Sequence, residues 1–402
     1  MPAQGWWYGN RPLDREAVRV PRTDSKTLDA LVVGAGAIGL ACAWRAAQRG
    51  LRVAVIDREA PGSGATSVAA GMLAPIGEAS WGEQALLDLN LASAKLYPGF
   101  VAELESASGR AVDYRRCGAL HVALDRDESE ELRRRHELQG SLGLDARWLR
   151  PRACRELEPG LATAVTAGVH APDEGEVDPR ALVAALVAAV ERAGVEPIAG
   201  AGAVETILEG DRLAGVRTAG GDELRAARTV LACGWWSGAA EWLPPRARPP
   251  VRPVKGQIIS LRGPEDEPLC ERIVASQWVY VVPRADGRVI VGATVEERGA
   301  DLTVTAGGVH ELLREAYRVL PDIAELEFTA AVAGLRPGTP DNAPLIGHGA
   351  LNGLVLATGH YRNGILLAPI TAEAVAALVA GEEPPPVSEG FGIERFEGVA
   401  TL

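Results

Sequence analysis

The residues best suited to chemistry in this sequence form a glycine-rich turn and the aspartate that follows it. Gly34-Ala35-Gly36-Ala37-Ile38-Gly39 has the spacing GxGxxG between an apolar run and a helical stretch. The first two glycines allow a tight turn and a close backbone approach to a pyrophosphate, and the third allows close packing of helix on strand. Asp57 ends the next apolar run, where a carboxylate accepts hydrogen bonds from a ribose diol. The spacing predicts a dinucleotide site, and Asp57 beside Arg58 argues against a 2′-phosphate.

A second stretch suited to a cofactor covers residues 61–73, which are mostly small and include several hydroxyls and glycines. A nicotinamide-binding domain normally continues with a packing helix at this point. These residues instead favour a loop along an extended cofactor, with small side chains that let an aromatic ring system lie against the backbone. An ordinary surface loop is the alternative.

Arg336 is the strongest candidate for substrate binding. It follows the apolar residues 330–335, and burial of its guanidinium costs free energy unless an anion pairs with it. A substrate carboxylate fits, because the planar guanidinium binds a carboxylate through two hydrogen bonds. A structural ion pair with one of the 53 acidic residues is the alternative. Tyr280 can donate to the same carboxylate or be a core tyrosine, and Arg362 is expected in a loop at the edge of the cofactor.

The elements that must position these residues begin with a βαβ unit. Residues 29–34 predict a strand buried on both faces, residues 37–49 a helix closed by Gly50, and residues 51–57 a second strand. Asp178-Pro179 predicts the start of another helix, because aspartate caps a helix and proline suits its first turn. Further strands are predicted at residues 203–208, 213–218, 223–225, 229–232 and 353–359, the last followed by an apolar helix that ends at Gly381.

This order of elements predicts an α/β fold in which a Rossmann-like nucleotide-binding domain carries an inserted α+β substrate domain built on an antiparallel sheet. Alternating apolar and polar residues at 251–293 predict the antiparallel strands, and residues 126–137 predict a solvated, highly charged helix. We predict the nucleotide-binding domain at 29–82, 172–244 and 332–382, and the substrate domain at 83–171 and 245–331. Residues 1–28 are expected to be an irregular extension and residues 383–402 a tail.

Composition excludes several classes of partner. A chain of 402 residues with a net charge of −12 repels polyanions, so nucleic acid and anionic membranes are not expected to bind. No apolar run reaches the ~18 residues of a membrane span, and the first residues lack the apolar core of a signal peptide, so the sequence predicts a cytoplasmic protein. The five cysteines and six histidines show no metal-ligand spacing, so no metal site is expected.

Five motifs occur in an order that resembles a known family. They lie at residues 34–39, 65–73, 231–237, 334–341 and 359–365. In this order they resemble the FAD-dependent amine oxidases of the D-amino-acid oxidase group, from about residue 29 to residue 381. Within that group the chain is most similar to the glycine oxidases of thiamine biosynthesis.

The resemblance implies a set of FAD contacts. The turn at residues 360–366 is expected under the flavin, because the amide groups of the following helix stabilise negative charge on the reduced ring. Pro369 in that helix implies a kink or a late start, and Val204 is expected beside the adenosine. The predicted cofactor residues are Gly34, Gly36, Ala37, Ile38, Gly39, Asp57, Arg58, Ala65, Thr66, Ala70, Gly71, Met72, Val204, Gly234, His360, Tyr361, Arg362, Asn363, Gly364, Ile365 and Leu366.

The resemblance also implies the reaction. A small amino acid, with glycine preferred, is oxidised to the imine and then to glyoxylate and ammonia, with O2 reduced to H2O2, or the imine itself serves thiazole assembly. Arg336, Tyr280 and Arg362 are the implied catalytic residues. In this family a cysteine near the flavin can mark covalent attachment, and residues 334–341 contain none, so FAD is expected to be non-covalent.

Several alternatives stay open. A D-amino acid or sarcosine oxidase, or a dehydrogenase with another electron acceptor, shares these motifs. An NAD-dependent dehydrogenase and a non-catalytic flavin-binding subunit of an amine oxidase complex are the other two alternatives. Val295 stands where the family resemblance implies a longer thioether side chain, and the N-terminal extension is a second departure. Both leave the substrate open, and the family leads us to expect a homo-oligomer.

Overall fold

The computed structural model describes residues 27–195 and 197–396. The predicted irregular extension lies outside the described residues except for its last two, and Leu28 already belongs to the first strand. Within the described residues the α-helices are α1 (Ala37–Gln48), α2 (Gln84–Ser108), α3 (Arg126–Ser141), α4 (Pro151–Leu157), α5 (Pro179–Arg192), α6 (Ala306–Val319) and α7 (Ala368–Ala380). The strands are β1 (Leu28–Val33), β2 (Val53–Asp57), β3 (Met72–Leu73), β4 (Ala119–Ala123), β5 (Arg147–Leu149), β6 (Ala167–Ala171), β7 (Gly175–Glu176), β8 (Pro197–Ala199), β9 (Ala203–Glu209), β10 (Arg212–Thr218), β11 (Glu223–Leu231), β12 (Arg252–Arg262), β13 (Ile273–Ala275), β14 (Tyr280–Pro283), β15 (Arg288–Gly292), β16 (Glu327–Gly338), β17 (Leu345–His348) and β18 (Leu354–Thr358).

The first sheet contains the predicted βαβ unit. Its strand order is β17-β18-β11-β1-β2-β8, and β1 pairs in parallel with both β2 and β11. Four of the six residues of β1 form an unbroken buried run at its end, as expected for a strand covered by helices on both faces. The predicted α/β fold is confirmed, with the glycine-rich turn at the carboxyl end of the central strand.

Two segments predicted as separate strands form one. Residues 223–225 and 229–231 belong to the continuous strand β11, and Ala232 of the second predicted strand follows its end. Its first half pairs antiparallel with β10, and its second half pairs in parallel with β1 and β18. The sequence suggested a break because the residues between the two halves are small or charged, but the strand simply changes partners there.

The second sheet has the order β16-β12-β15-β14-β13-β4-β6-β5, and most of its pairs are antiparallel. One row of paired residues crosses it, because Ile258 pairs with Gly292, Gly292 with Tyr280, and Tyr280 with Ala275. Residues paired in this way point to the same face of a sheet. Tyr280 of β14 therefore lies on the same face of the sheet as Gly292 of the neighbouring strand β15.

Helix α2 belongs to the core around the first sheet. It lies in the segment predicted for the substrate domain, yet its buried Leu89, Phe100 and Leu104 pack in one cluster with α1, α5 and α7. Strand β16 crosses the predicted boundary between residues 331 and 332, and it pairs along its length with β12 of the second sheet. The division of the chain into domains stays a prediction.

Candidate active site

A cavity of about 910 Å³ is lined by residues from both sheets. It contains the glycine-rich turn, the loop at 61–73, the turn at 360–366 and the candidate residues Arg336 and Tyr280. With the exception of Gly39, every residue that the sequence nominated for cofactor or substrate lines this cavity. The fold thus brings together residues as distant in the chain as Gly34 and Leu366.

Gly39 does not line the cavity, because it lies where helix α1 packs against the glycine-rich turn and the end of β11. A Cβ at Gly39 would overlap the carbonyl oxygen of Gly34 and lie 3.2 Å from the Cβ of Ala232. Gly34 has φ +112°, a conformation that side chains rarely adopt, and a Cβ there would overlap the backbone of Ala232. The two glycines therefore let the turn, the helix and the neighbouring strand approach one another.

The beginning of α1 has the features of an anion site. Gly36 is its N-cap with no side-chain hydrogen bond, and the first turn contains no acidic residue. The Ala37 amide donates to the Thr66 hydroxyl at 3.2 Å. Since the first amides of a helix lack acceptors within the helix and carry partial positive charge, this end of the cavity suits a pyrophosphate.

Asp57 faces the same end of the cavity and organises the turn. Its Oδ2 accepts from the Ala35 amide at 2.7 Å, and its Oδ1 accepts from the Glu59 amide at 2.9 Å. A carboxylate has about four acceptor positions, so each oxygen retains capacity for a further donor such as a ribose hydroxyl. Asp57 thus both supports the glycine-rich turn and offers acceptors to a ligand.

Arg58 stacks on an aromatic side chain that sequence reasoning did not nominate. Its guanidinium carbon lies 3.9 Å from the ring centroid of Trp236, and both residues line the cavity. Val204 lies at the same end with half of its surface exposed. Trp236 was part of a recognised motif, but only the fold reveals that it faces Arg58, which lies 178 positions earlier in the chain.

The turn at residues 360–366 presents free amide groups. Within the described residues, the amides of Gly364, Ile365 and Leu366 have no hydrogen-bond acceptor. Helix α7 begins at Ala368 with Pro369 in its first turn, so the late start that proline implied is observed. The amides therefore remain available at the wall of the cavity, where negative charge would be stabilised.

Side chains from helix α2 hold this turn from behind. Tyr97 donates to the Ile365 carbonyl at 3.0 Å, and Ser93 donates to the Leu366 carbonyl at 2.6 Å. Both residues are fully buried, and burial raises the pKa of Tyr97, which keeps its hydroxyl a donor. Sequence reasoning missed these supports because they lie about 270 positions away.

His360 is neutral in the folded protein. It is buried, its Nε2 lies 3.0 Å from the Thr371 hydroxyl, and burial lowers its pKa to about 3. Tyr361 next to it has φ +47°, which is uncommon for a residue with a side chain. The turn thus combines a neutral imidazole with a constrained backbone.

Arg336 and Tyr280 meet at the other end of the cavity. The Nη1 of Arg336 donates to the carbonyl of Thr294 at 3.0 Å and to that of Lys255 at 3.3 Å. Burial raises the pKa of the Tyr280 hydroxyl, and the Arg336 guanidinium opposes this because it lies beside the phenolic oxygen. In the described part of the chain no carboxylate forms an ion pair with Arg336, so its charge is available to an anion.

Two glycines make room for these side chains. A Cβ at Gly256 would overlap the guanidinium of Arg336, and a Cβ at Gly292 would overlap the ring and hydroxyl of Tyr280. Both glycines line the cavity. Their absent side chains let Arg336 and Tyr280 lie flat along the sheet.

Arg362 faces an acidic residue across the cavity. Its Nη1 lies 3.7 Å from the Glu78 carboxylate, and both side chains are partly exposed. Burial opposes the charge of Arg362, but Glu78, Tyr361 and Tyr280 together outweigh this effect and raise its pKa. Glu78 was not nominated from the sequence, although it lies five residues beyond the predicted loop.

Cys233 also lines the cavity, close to Asp57. Burial and the charge of Asp57 raise the pKa of its thiol to about 12, and its Sγ donates to the Val33 carbonyl at 3.2 Å. The thiol is therefore protonated at neutral pH, and a protonated thiol is a poor nucleophile.

The chain is similar to known proteins over most of its length. The model of a family described as FAD dependent oxidoreductase matches residues 29–378. A glycine oxidase from Geobacillus kaustophilus is 36% identical over 376 residues, which are 92% of this chain and 97% of that protein. The crystal structure of glycine oxidase from the same organism has a TM-score of 0.85 and 34% identity, covering 92% of this chain and 99% of the other.

A longer relative matches as well. The bifunctional protein ThiO/ThiG of Trichormus variabilis is 36% identical over 378 residues, which cover 93% of this chain but 56% of that protein. The chain thus spans about half the length of the bifunctional relatives it matches. Within the described ranges, the structure has no helix that is both long and apolar enough to cross a membrane.

Proposed function

Because this chain belongs to the family of FAD-dependent oxidoreductases, which confirms the predicted family and cofactor, we propose that it oxidises a small amino acid at its α-carbon. Glycine is the preferred substrate. The products are the imine, then glyoxylate and ammonia, and O2 is reduced to H2O2. The proposal draws support from relatives named glycine oxidase that match over nearly their whole length.

The residues of the cavity fit FAD. The uncapped start of α1 suits the pyrophosphate, Asp57 suits the ribose, and the Arg58 and Trp236 stack offers a flat surface near the adenosine end. The free amides at residues 364–366 suit the flavin end. When bound, FAD supplies the acceptor for the hydride that leaves the α-carbon.

The observation that carries the proposed substrate class is the state of Arg336. Its guanidinium is anchored by two backbone carbonyls, has no carboxylate partner among the described residues, and faces the cavity beside Tyr280. A guanidinium that is partly desolvated and unpaired is best stabilised by a carboxylate with bidentate geometry. Arg336 therefore binds the carboxylate of an amino acid, and Tyr280 donates to the same group.

The chain contributes orientation more than proton transfer. Arg336 and Tyr280 fix the carboxylate, which fixes the α C–H bond relative to the amides at residues 364–366. A substrate with a deprotonated nitrogen needs no side-chain base, so orientation is the main contribution of the protein. Arg362 and Glu78 lie in the wall of the same cavity, 3.7 Å apart.

The test is an activity assay on purified protein with glycine, sarcosine, D-alanine and D-proline. We expect H2O2, glyoxylate and ammonia in equal amounts from glycine. Turnover with an artificial electron acceptor but not with O2 would assign a dehydrogenase instead. A yellow protein that turns over none of these amines would be a non-catalytic flavin-binding subunit.

A larger substrate such as sarcosine or a small D-amino acid is the second candidate. Val295 lines the cavity with about half of its surface exposed, and it is shorter than the side chain expected from the family. A shorter side chain leaves more space near the substrate. A higher kcat/KM for sarcosine or D-alanine than for glycine would establish this alternative.

We also propose that FAD is held without a covalent bond. The cysteine that lines the cavity beside Asp57 has a protonated thiol, and residues 334–341 contain no cysteine. Acid precipitation should leave all yellow colour in the supernatant. A role in thiamine (thiazole) biosynthesis, a cytoplasmic location and a homo-oligomer are proposals that rest on the sequence resemblance.

A further inference from the structure

Lys255 is a buried cation that the proposed function does not use. All but three of the 41 basic residues are arginine, and Lys255 is one of those three lysines. Its side chain is completely buried, and its Nζ lies 2.6 Å from Asp301 and 3.7 Å from Glu296. Burial of an ion pair seldom adds stability over an apolar pair of the same size, which points to a role in fixing geometry.

Lys255 lies in strand β12, directly before the glycine that makes room for Arg336. Successive residues of a strand point to opposite faces. Gly256 lies against the guanidinium of Arg336, so the Lys255 side chain points to the other face of the sheet. The backbone of Lys255 nevertheless touches the site, because its carbonyl accepts from Arg336 at 3.3 Å.

The partners of Lys255 hold the segment at residues 294–301 onto β12. Lys255 and Glu296 exchange two backbone hydrogen bonds of 2.9 Å each. The Glu296 carboxylate accepts from the Thr294 hydroxyl at 2.7 Å and from the side-chain amide of Gln257 at 2.6 Å. Thr294 is thereby fixed, and its carbonyl is the second acceptor for Arg336, at 3.0 Å.

We propose that Lys255 is a positioning residue for the substrate carboxylate, because the Lys255, Asp301 and Glu296 network fixes both carbonyls that orient the Arg336 guanidinium. Lysine suits this place, since its compact ammonium carries three donors and lies between two carboxylates. The same segment carries Val295 into the cavity, so the network also sets the width of the site. This inference rests on the proposed function, in which Arg336 binds a carboxylate.

The experiment compares Lys255→Met with wild type and with Lys95→Met, which removes an exposed lysine that does not line the cavity. We expect Lys255→Met to raise KM for glycine by on the order of 10- to 100-fold with kcat within about threefold, since a small displacement of a binding group costs this much. The dissociation constant of acetate, measured by its effect on the flavin spectrum, should rise in parallel. FAD content should match that of Lys95→Met.

A double variant distinguishes a positioning role for Lys255 from a purely structural one. The double variant Lys255→Met with Arg336→Ala should lose no more kcat/KM than Arg336→Ala alone, because the network acts through Arg336. Additive losses would contradict the inference. If Lys255→Met fails to fold, Asp301→Asn keeps the lysine and should still raise KM and the acetate dissociation constant.

The outcomes separate the inference from the proposed function. A wild type that oxidises glycine, with unchanged KM and acetate binding in Lys255→Met and Asp301→Asn, overturns the role of Lys255 alone. A wild type that neither oxidises an amino acid nor binds acetate overturns the proposed function and the inference together. A wild type that binds acetate without turnover still tests Lys255 through binding.

Discussion

The guanidinium of Arg336 lies against Gly256 of the neighbouring strand, at a place where any side chain would overlap both of its terminal nitrogens. The two residues come from β16 and β12, whose strands pair antiparallel over most of their length. Gly256 pairs with Gly334, and Arg336 lies two residues further along the same face. The position of the guanidinium is therefore built on a missing side chain in the opposite strand.

Gly256→Ala should impair substrate binding while the cofactor stays bound. The added methyl group displaces Arg336 from its carbonyl acceptors, so kcat/KM for the amino acid should fall by on the order of 100-fold, as for a misplaced binding group. FAD content and the flavin spectrum should equal those of wild type. Gly99→Ala is a matched control, because a Cβ there meets no neighbouring atom. A Gly256→Ala enzyme with normal kcat/KM would show that the space is not needed.

Asp57→Ala should weaken FAD binding by about 1.5 to 3 kcal/mol, the usual range for a hydrogen bond to a charged group. The carboxylate also accepts from the amides of Ala35 and Glu59, so the turn itself is loosened. Asp57→Asn keeps an acceptor and should lose less. Titration of the apoprotein with FAD measures both constants, and equal affinities in all three proteins would remove Asp57 from the ribose site.

His360 should make folding stability depend on pH below neutrality. Burial lowers its pKa to about 3 in the folded protein, against an ordinary value of 6.5. As the pH falls, the unfolded chain therefore takes up a proton at this histidine before the folded protein does. The contribution of neutral His360 to the free energy of unfolding is complete above about pH 6.5 and declines as the pH falls toward about 3.

In His360→Gln this dependence is absent. The difference in Tm between wild type and His360→Gln should therefore shrink from pH 7.5 to pH 4.5, measured by scanning fluorimetry. A difference that stays constant or grows on acidification would mean that His360 is not held neutral by the fold.

The sequence motifs predicted the residues at one end of the site, whereas contacts between residues distant in sequence could be identified only from the fold. The glycine-rich turn and Asp57 lie within 24 residues and serve one βαβ unit, so spacing alone placed them. The partners of Arg362 and Lys255 come from other elements and follow no sequence period. Helix α2 was missed as a support for the flavin-side turn, because Ser93 and Tyr97 look like ordinary helix residues until the fold places them behind Ile365 and Leu366.

Arg336→Ala should reduce kcat/KM for glycine by about 2 to 5 kcal/mol, on the order of 30-fold to several thousandfold, because it removes a charge-assisted pair from a partly dry site. Arg336→Lys should recover little, since a point charge does not reproduce the planar fork. FAD content should remain near that of wild type in both. Loss of flavin in either variant would move Arg336 from the substrate to the cofactor.

An anaerobic titration with glycine tests whether this FAD-binding cavity oxidises an amino acid held by Arg336. Purified holoprotein is mixed with glycine in the absence of O2, and the flavin absorbance near its visible maximum is followed in wild type and in Arg336→Ala. We expect full loss of the yellow colour in wild type and much slower loss in Arg336→Ala. Wild-type protein that stays yellow with glycine, sarcosine, D-alanine and D-proline, or a variant that loses its colour as fast as wild type, would contradict this expectation.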